Sequence, residues 1–256
     1  MQRTIELMLA AGTAKAAKPA RLLLGQAVLA GAFISLGGIL SVFLGYGMPG
    51  LTADNPALQR LLSGLAFPVG LFLIVMFGGE LFTGNNAVLM PAMMERRYGW
   101  GAVARNWTLV WLGNLVGALA FTYVFALGAG LTDIAPYDQA LRDIAGAKAG
   151  LAWYRILLRG IAANWCVCLA VLLALPAPSM AQKALACWIP VAAFVILGYE
   201  HSIANMFFIP CGMLAGADVT VADAARNILW ATLGNIIGGA LLVGLAIPAL
   251  HRKKPA

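Results

Sequence analysis

Four long segments of the chain are apolar and contain no charged residue. They cover residues 22–53, 107–132, 161–182 and 227–250. A helix needs roughly 20 apolar residues to cross a hydrocarbon core about 30 Å thick. Each segment is longer than that, so each one predicts a membrane-spanning helix.

Two further apolar segments, 61–94 and 184–217, each contain a single acidic residue, Glu80 or Glu200. Both are 34 residues long, and at about 1.5 Å per residue a straight helix of that length would overshoot the hydrocarbon core. Places for a break are offered by glycine and proline residues, namely Gly78, Gly79, Gly84, Pro91, Pro190, Gly198, Pro210 and Gly212. The pattern predicts an all-α integral membrane protein with six transmembrane helices, the second and fifth of them broken.

The two halves of the chain carry recurring residues at a nearly constant spacing of 120 or 121 positions. The recurring groups are Arg105-Asn106 with Arg226-Asn227, Leu112-Gly113-Asn114 with Leu233-Gly234-Asn235, Glu80 with Glu200, and Asn85 with Asn205. Because each half holds three spans, the second half must cross the membrane in the opposite direction to the first. We therefore expect two inverted three-helix repeats, over about residues 21–130 and 151–250, whose broken helices meet near the membrane midplane.

The polar ends of the chain are expected at one face of the membrane. A single transmembrane domain, 1–256, would begin with a surface segment over 1–20 and end with a tail over 251–256. With both ends in the cytoplasm, eleven of the 17 lysine and arginine residues lie on the inner side and six on the outer side. This bias follows the positive-inside rule. The sequence thus predicts a multi-pass protein of the cytoplasmic (inner) membrane with cytoplasmic termini.

Composition narrows the classes of function. Hydrophobic residues make up 62% of the chain and charged residues 11%, whereas a soluble domain has about 25% charged residues. The net charge of +7 is not gathered on a polar domain, so we expect the lipid bilayer as a partner and no nucleic acid. The four cysteines lie within predicted spans, which favours buried thiols over a disulfide or a metal site, and no cofactor is expected.

The two predicted breaks are the candidate working region, because a broken helix leaves backbone groups without partners inside the membrane. The polar side chains beside the breaks are Glu80 with Asn85 and Glu200 with Asn205. We expect these four to tie the two breaks together by hydrogen bonds. Direct contact with a substrate, or proton transfer by either glutamate, is the alternative. An unpaired carboxylate in the path of an anion would repel that anion.

Thr83 and His201 lie within the opposite breaks, and both side chains can donate a hydrogen bond. A lone histidine on an apolar helix is usually a packed core residue, but its place at a repeat break within the membrane favours a role in transport. Protonated, His201 would stabilise an anion, and neutral, it could transfer a proton. This hypothesis couples the binding of small anions to the uptake of protons, so that flux rises as the pH falls.

The two breaks also carry a family resemblance. GELFTGN occurs at 79–85 and GYEHSIANMF at 198–207, and LGN occurs at 112–114 and again at 233–235. These segments resemble the signature segments of the formate/nitrite transporter family, and the likeness extends over 21–250. The resemblance implies an aquaporin-like helical arrangement and a homopentamer in which each protomer has its own substrate pore.

The resemblance assigns roles to residues of the pore. In the family, a threonine of the second span and a histidine of the fifth span form the central polar site, which matches Thr83 and His201. Apolar narrowings flank that site, and they match Phe67, Leu71 and Leu81 of the second span and Phe194 of the fifth. Without the family, these four would be read as ordinary packing residues.

Further positions match the family outside the narrowings. A vestibule lysine on the outer side matches Lys148. On the inner side the family often has a lysine where this chain has Arg21, so the positive charge is kept without the compact ammonium. Asn164 and Asn235, deep in the fourth and sixth spans, match family positions as well, and we expect helix-to-helix hydrogen bonds from both.

The expected function is a transmembrane channel or transporter for small monovalent anions such as formate or nitrite, with hydrosulfide or lactate as wider candidates. An aquaporin-like channel for neutral solutes is one alternative, but the Asn-Pro-Ala triad at 55–57 is unrepeated and lies in a predicted outer loop. An embedded enzyme using Glu200 and His201, or Cys166 as nucleophile, is another. The sequence has no His-Glu-x-x-His, Gly-x-Ser-x-Gly or nucleotide-binding glycine motif, so we expect no enzyme.

Overall fold

The structure of the protein, a computed structural model, describes residues 1–251, and the regular secondary structure in this range is helical, without strands. The helices of the first half are α1 Gln2–Ala17, α2 Ala20–Tyr46, α3 Pro49–Thr52, α4 Pro56–Ala66, α5 Val69–Phe77, α6 Phe82–Val88, α7 Met90–Met94 and α8 Trp100–Phe121. Those of the second half are α9 Tyr137–Ala149, α10 Trp153–Ala174, α11 Met180–Ile196, α12 Ser202–Leu214, α13 Val221–Ile236 and α14 Ala246–His251. The π-helical segments Thr122–Leu127 and Ile237–Leu245 continue α8 and α13.

Within the described residues, five helical stretches are long and apolar enough to cross a membrane. They are Ala20–Tyr46, Pro56–Phe77, Trp100–Leu127, Trp153–Ala174 and Val221–His251. Helices α11 and α12 are apolar but shorter, with 17 and 13 residues. The all-helical membrane class predicted from the sequence is thereby confirmed. The first long helix is shorter than the apolar segment that predicted it, because α2 ends before the turn that leads into α3.

The chain interrupts its helices at both positions where the two acidic residues lie. Helices α5 and α6 are separated by 78–81, and α11 and α12 by 197–201. Gly78 and Gly198 have left-handed backbone, with φ of 67° and 69°, a conformation that residues with a Cβ seldom adopt. The prolines that the sequence offered as further break points in the second half lie inside α11 and α12 instead.

The first long helix of each half packs against the last one in the same way. A Cβ at Gly117 of α8 would overlap the carbonyl oxygen of Val28 in α2. A Cβ at Gly238, which follows α13, would overlap that of Ile161 in α10. Glycine allows the helix backbones to approach closely at both places, as is common between membrane helices. Gly117 and Gly238 lie 121 positions apart, the spacing of the recurring groups, and therefore make equivalent helix contacts.

The segment before the first long helix is itself helical and docks onto the rest of the protein. Met8 and Gly12 of α1 are buried, and a Cβ at Gly12 would meet the backbone of Val88 in α6. The predicted surface segment, 1–20, thus packs onto the short helices that follow the first break. Of the predicted tail, 251–256, all but the first residue lies outside the described residues.

Candidate functional site

Glu80 of the first break is buried, and three side chains donate hydrogen bonds to its carboxylate. Lys15 and Asn85 donate to Oε2 at 2.8 and 2.7 Å, and Lys18 donates to Oε1 at 2.6 Å. Asn85 also donates to Oδ1 of Asn106 in α8 at 2.9 Å. An unpaired charge would be costly at this depth, and these donors compensate the carboxylate. The break is thereby joined to α1 and to α8.

Glu200 of the second break has a similar environment. Lys148 donates to its Oε1 at 2.9 Å, and Asn205 and Asn227 donate to its Oε2 at 2.6 and 3.2 Å. Asn205 also donates to Oδ1 of Asn227 at 2.7 Å. These bonds run within one half of the chain, as do those of Glu80. This corrects the expectation that the glutamates and asparagines tie the two breaks to one another.

The backbone groups freed by each break are bound by an asparagine of the following long helix. Asn114 donates to the carbonyl oxygens of Ala27 and Glu80 at 2.7 and 2.9 Å and accepts from the N–H of Phe82 at 2.9 Å. In the second half, Asn235 donates to the carbonyl oxygens of Gly160 and Glu200 at 2.8 and 3.0 Å. It accepts from the N–H of Ser202 at 2.8 Å. Sequence reasoning missed Asn114 as a site residue, although the recurrence of LGN was its signal.

The two breaks meet through Thr83 and His201. The hydroxyl of Thr83 and Nε2 of His201 are 2.9 Å apart, and both residues are buried. His201 caps α12, since its Nδ1 accepts the N–H of Ala204 at 3.1 Å. A ring whose Nδ1 is an acceptor carries its hydrogen on Nε2, so we assign the neutral His201 as the donor to Thr83. The ring also stacks on Phe194, with centroids 5.8 Å apart.

A small cavity of about 10 Å³ lies beside the ring of His201. Its lining consists of Ile34, Phe67, Leu71, Leu81, Val167, Val191, Phe194 and His201. All four residues that the resemblance assigned to narrowings are in this lining. The rings of Phe67 and Phe194 meet edge to face, with centroids 5.7 Å apart. The volume is about that needed for one water molecule. Apolar side chains therefore leave only a very narrow space beside His201.

A larger cavity of about 390 Å³ lies on one side of this narrowing, and we name it the Lys18 cavity. Lys15, Lys18, Lys183 and Glu80 contribute its charged lining. Leu71 and Leu81 line both the Lys18 cavity and the small cavity at His201. These two leucines therefore form the boundary between the two spaces.

A cavity of about 200 Å³ lies on the other side, and we name it the Lys148 cavity. Arg60 and Lys148 contribute its charged lining. Phe67, Phe194 and His201 line both this cavity and the small one. The three cavities therefore follow one another, with charged side chains in the outer two and apolar side chains around His201 between them.

The lysines of α1 were not expected in the site. Lys15 and Lys18 bind Glu80 and line the Lys18 cavity, whereas Arg21, proposed from the sequence as the vestibule charge on this side, is exposed and is not part of that lining. Burial lowers the pKa of Lys15, and the neighbouring carboxylate of Glu80 opposes this effect. Two of the three cations of this cavity, Lys15 and Lys18, come from α1 and the residue that follows it, because α1 folds back onto the first break.

Asn164 joins three helices behind the Thr83–His201 pair. Its Nδ2 donates to the backbone oxygen of Thr83 at 3.1 Å and to that of Asn235 at 2.6 Å. It also lies 3.3 Å from Oδ1 of Asn86, and it is fully buried. Helix α10 is thereby bonded to α6 and α13, so Asn164 supports the position of Thr83 rather than lining a cavity.

Membrane-length apolar helices, two helix breaks joined by a polar pair, and charged cavities on both sides of an apolar narrowing define a membrane transport protein for small solutes. The family model described as formate/nitrite transporter matches residues 2–248. The chain belongs to the formate/nitrite transporter family, which is a family of transporters and channels rather than enzymes.

Individual members of the family are similar over nearly the whole chain. The formate channel BtFdhC of Bacillus thuringiensis is 38% identical over 255 residues, which cover 99% of this chain and 96% of that protein. A solved structure of an FNT family ion channel matches with a TM-score of 0.90 at 29% identity, covering 98% of this chain and 100% of the other. A pentameric formate channel with formate bound matches with a TM-score of 0.82 at 29% identity, covering 91% and 98%.

Proposed function

We propose that this protein is a channel or transporter for small monovalent anions, with formate or nitrite as the first candidates. The observation that carries the proposal is the succession of the Lys18 cavity, the small cavity at His201 and the Lys148 cavity. Cations at both mouths raise the local concentration of anions, and the narrowing between them admits only small solutes. The similar proteins named as formate channels support the same class of substrate.

His201 is the proposed contact for the anion inside the narrowing. An ion that enters between apolar side chains loses its hydration, and an unpaired charge there is costly. The Nε2–H of His201 is the donor at this point, and an anion must compete for it with Thr83. Proton uptake by the ring places a hydrogen on Nδ1, where the N–H of Ala204 already points, so that bond must break. An anion beside the ring compensates this loss, so anion binding and proton uptake are coupled.

The proposed architecture places the pore between two inverted three-helix repeats, over about 21–130 and 151–250, with broken second and fifth helices in an aquaporin-like arrangement. The equivalent bonds of Asn114 and Asn235 support this assignment. A homopentamer with one pore in each protomer is part of the proposal, and the pentameric formate channel with a similar structure supports it.

The charged residues of the two cavities support one orientation of the protein in the membrane. Lys183 shares one cavity with Lys15 and Lys18, and Arg60 shares the other with Lys148. The positive-inside rule assigns the first group to the inner face and the second to the outer face. On this proposal the Lys18 cavity opens to the cytoplasm of a cell whose inner membrane holds the protein.

Flux into proteoliposomes tests the proposed function. Purified protein is reconstituted, and the entry of formate, nitrite, hydrosulfide, lactate and the neutral solute glycerol is measured with and without a pH gradient, with protein-free liposomes as the control. We expect formate or nitrite to enter faster than in the control, and acceleration by an inward proton gradient would show coupling. Rapid glycerol entry without anion entry would instead support a channel for neutral solutes.

A further inference from the structure

A large apolar groove lies between α8 and α13, separate from the three cavities at His201. Its volume is about 920 Å³, more than twice that of the Lys18 cavity. Side chains of α8 between 104 and 115 and of α13 between 221 and 236 form its walls, and Phe82 of α6 also lines it. The part of the chain that the structure describes contributes no charged side chain to this lining. We name it the α8–α13 groove.

The two walls of the groove begin at its opposite ends. Near the start of α8, Arg105 donates to the backbone oxygen of Lys18, a residue of the Lys18 cavity. Near the start of α13, Asn227 donates to the backbone oxygen of Lys148, a residue of the Lys148 cavity. These two cavities lie on opposite sides of the narrowing, so the two helices run in opposite directions. We call the end of the groove beside the start of α8 the Arg105 end.

Corresponding positions of the two walls differ in polarity. Trp107 and Thr108 of α8 correspond to Ile228 and Leu229 of α13 at a spacing of 121 positions, and all four line the groove. Tryptophan and threonine side chains carry hydrogen-bond donors, whereas isoleucine and leucine carry none. The Arg105 end therefore has donors in its wall, and the other end has apolar side chains at the corresponding places.

The two tryptophans of the α8 wall differ in whether their ring N–H has an acceptor. Trp111 donates to Oγ1 of Thr232 in the opposite wall at 3.1 Å. The N–H of Trp107 is buried and has no acceptor among the described residues. A buried donor without an acceptor is unfavourable. The wall near the Arg105 end therefore lacks an acceptor that an oxygen atom of a bound molecule would supply.

Arg105 adds an exposed positive charge at this end. It precedes Thr108 by three positions, so the two side chains lie on the same face of α8. Its Nη1 and Nη2 donate to the backbone oxygen of Lys18 at 3.2 Å, which uses two of the five N–H groups of a guanidinium. Arg226, the recurring partner of Arg105, is partly buried and donates to two different backbone oxygens. Of this pair, only the arginine at the Arg105 end is exposed.

We propose that the α8–α13 groove binds an anionic glycerophospholipid, with its phosphate at Arg105, an ester oxygen near Trp107 and Thr108, and an acyl chain along the apolar remainder. The cation, the donors and the apolar side chains follow one another in the order of phosphate, ester and acyl chain in such a lipid. Arginine suits phosphate oxygens because its donors form a planar fork. Both walls belong to helical stretches of membrane length, so lipid is the molecule that surrounds the groove.

The bound lipid lies against the first break on this proposal. Phe82 lines the groove and stands between Leu81 of the narrowing and Thr83 of the central pair. The rings of Phe82 and Trp107 meet edge to face, with centroids 6.2 Å apart. A lipid that fills the groove therefore packs beside the break, and it stabilises the folded protein because it binds the folded state.

Native mass spectrometry of the full chain in detergent, titrated with dioleoyl phosphatidylglycerol, tests the charge of the site. We expect one tightly bound lipid for each chain, and weaker binding of dioleoyl phosphatidylcholine, whose head group has no net charge. Arg105→Gln should weaken the binding of phosphatidylglycerol about fivefold, the contribution of one arginine beside anionic lipid. Arg3→Gln, the same change at the exposed start of α1, is the matched control and should leave the binding unchanged.

Filling the groove tests its location. Ala225 is exposed and lines the groove, whereas Ala222 of the same helix is exposed and is not part of the lining. Ala225→Trp should therefore displace the bound lipid, and Ala222→Trp should not. Added phosphatidylglycerol should raise the unfolding temperature of the wild type and of Ala222→Trp, but not that of Ala225→Trp.

Three results would overturn the proposal. One is equal retention of phosphatidylglycerol by Ala225→Trp and Ala222→Trp. Another is equal binding of the two lipids that Arg105→Gln does not alter, which would remove the anionic head group. The third is a changed oligomeric state of Ala225→Trp alone with unchanged lipid binding, which would assign the groove to a contact between copies of the chain. Ala225→Trp keeps the test decisive if Arg105→Gln does not assemble, because it leaves the bonds of Arg105 in place.

Discussion

At the scale of residues, the ring of His201 is bonded on both of its nitrogen atoms. Ala204 donates to Nδ1, and Nε2 faces the hydroxyl of Thr83. The neutral ring satisfies both contacts, whereas the protonated ring loses the one to Ala204. Proton uptake without an anion is therefore unfavourable, because it breaks the hydrogen bond between Ala204 and His201 at the start of α12. This is the physical basis for expecting protons and anions to arrive at His201 together.

Replacement of His201 by asparagine tests that basis. Formate flux in wild-type proteoliposomes should rise as the pH falls, and His201→Asn should lose most of this dependence because asparagine takes up no proton. Size-exclusion chromatography should show the same assembly for both proteins, and protein-free liposomes correct for leakage of the neutral acid. A His201→Asn protein with wild-type flux and an unchanged pH profile would leave the histidine a structural role only.

The residues of the site differ in how far the sequence revealed them. Thr83 and His201 stand within the recognisable motifs of the two breaks, so their proximity could be expected from the repeat. Lys15 and Lys18 could not be assigned, because their contact with Glu80 depends on α1 folding back across a separation of more than sixty residues. The sequence shows that both residues are charged and that they precede the first long helix. Nothing in the local pattern of α1 specifies their contact with Glu80.

At the scale of elements, each helix break is held by the side chain of one glutamate and, at its backbone, by one asparagine from the next long helix. The glutamate side chain binds the preceding surface helix, and the asparagine binds the backbone. Elements distant in sequence thus provide the hydrogen bonds that a continuous helix would make itself. The breaks are therefore rigid places in the fold and not loosely held loops.

Removal of either glutamate should consequently weaken the assembled protein. Glu80→Ala leaves two lysines and an asparagine without their shared acceptor, and breaking a buried ion pair costs about 3 to 5 kcal/mol. Glu200→Ala leaves a single lysine and should lower the unfolding temperature less. Thermal unfolding of the detergent-solubilised protein measures both, with Glu6→Ala in α1 as control. Intact assemblies with unchanged unfolding temperatures and altered proton coupling would assign the glutamates a direct role in transport.

The sequence pattern predicts some features of the helices and not others. The apolar segments and the two breaks were predicted because charge and glycine mark them. The helix ends were not predicted, since the residues after α2 are as apolar as the helix itself and the turn is signalled only by Gly47, Pro49 and Gly50. The sequence also did not predict that residues 1–20 form a packed helix. The burial of this helix comes from contacts with α6 and α7, which are distant from it in sequence.

At the scale of the whole molecule, the proposed topology has a direct test. Reporter fusions should place both termini and the turn at 95–98 in the cytoplasm, and the connection at 133–148 outside. The distribution of cations between the two cavities gives the same orientation. An external C-terminus would contradict both the cytoplasmic position of the Lys18 cavity and the inverted relation of the two halves.

The central claim is that small anions cross through the narrowing beside His201, and blocking that narrowing tests it most directly. Leu71 lines both the Lys18 cavity and the small cavity, so Leu71→Trp should fill the path, with Val191→Phe as a milder block. Leu158→Trp is the control, because this side chain is 61% exposed on α10. The measurement is the initial rate of formate entry into proteoliposomes of correctly assembled protein. Entry near the protein-free rate for the blocked variants, with the control like wild type, is the predicted result, and wild-type entry through a blocked narrowing would contradict the account.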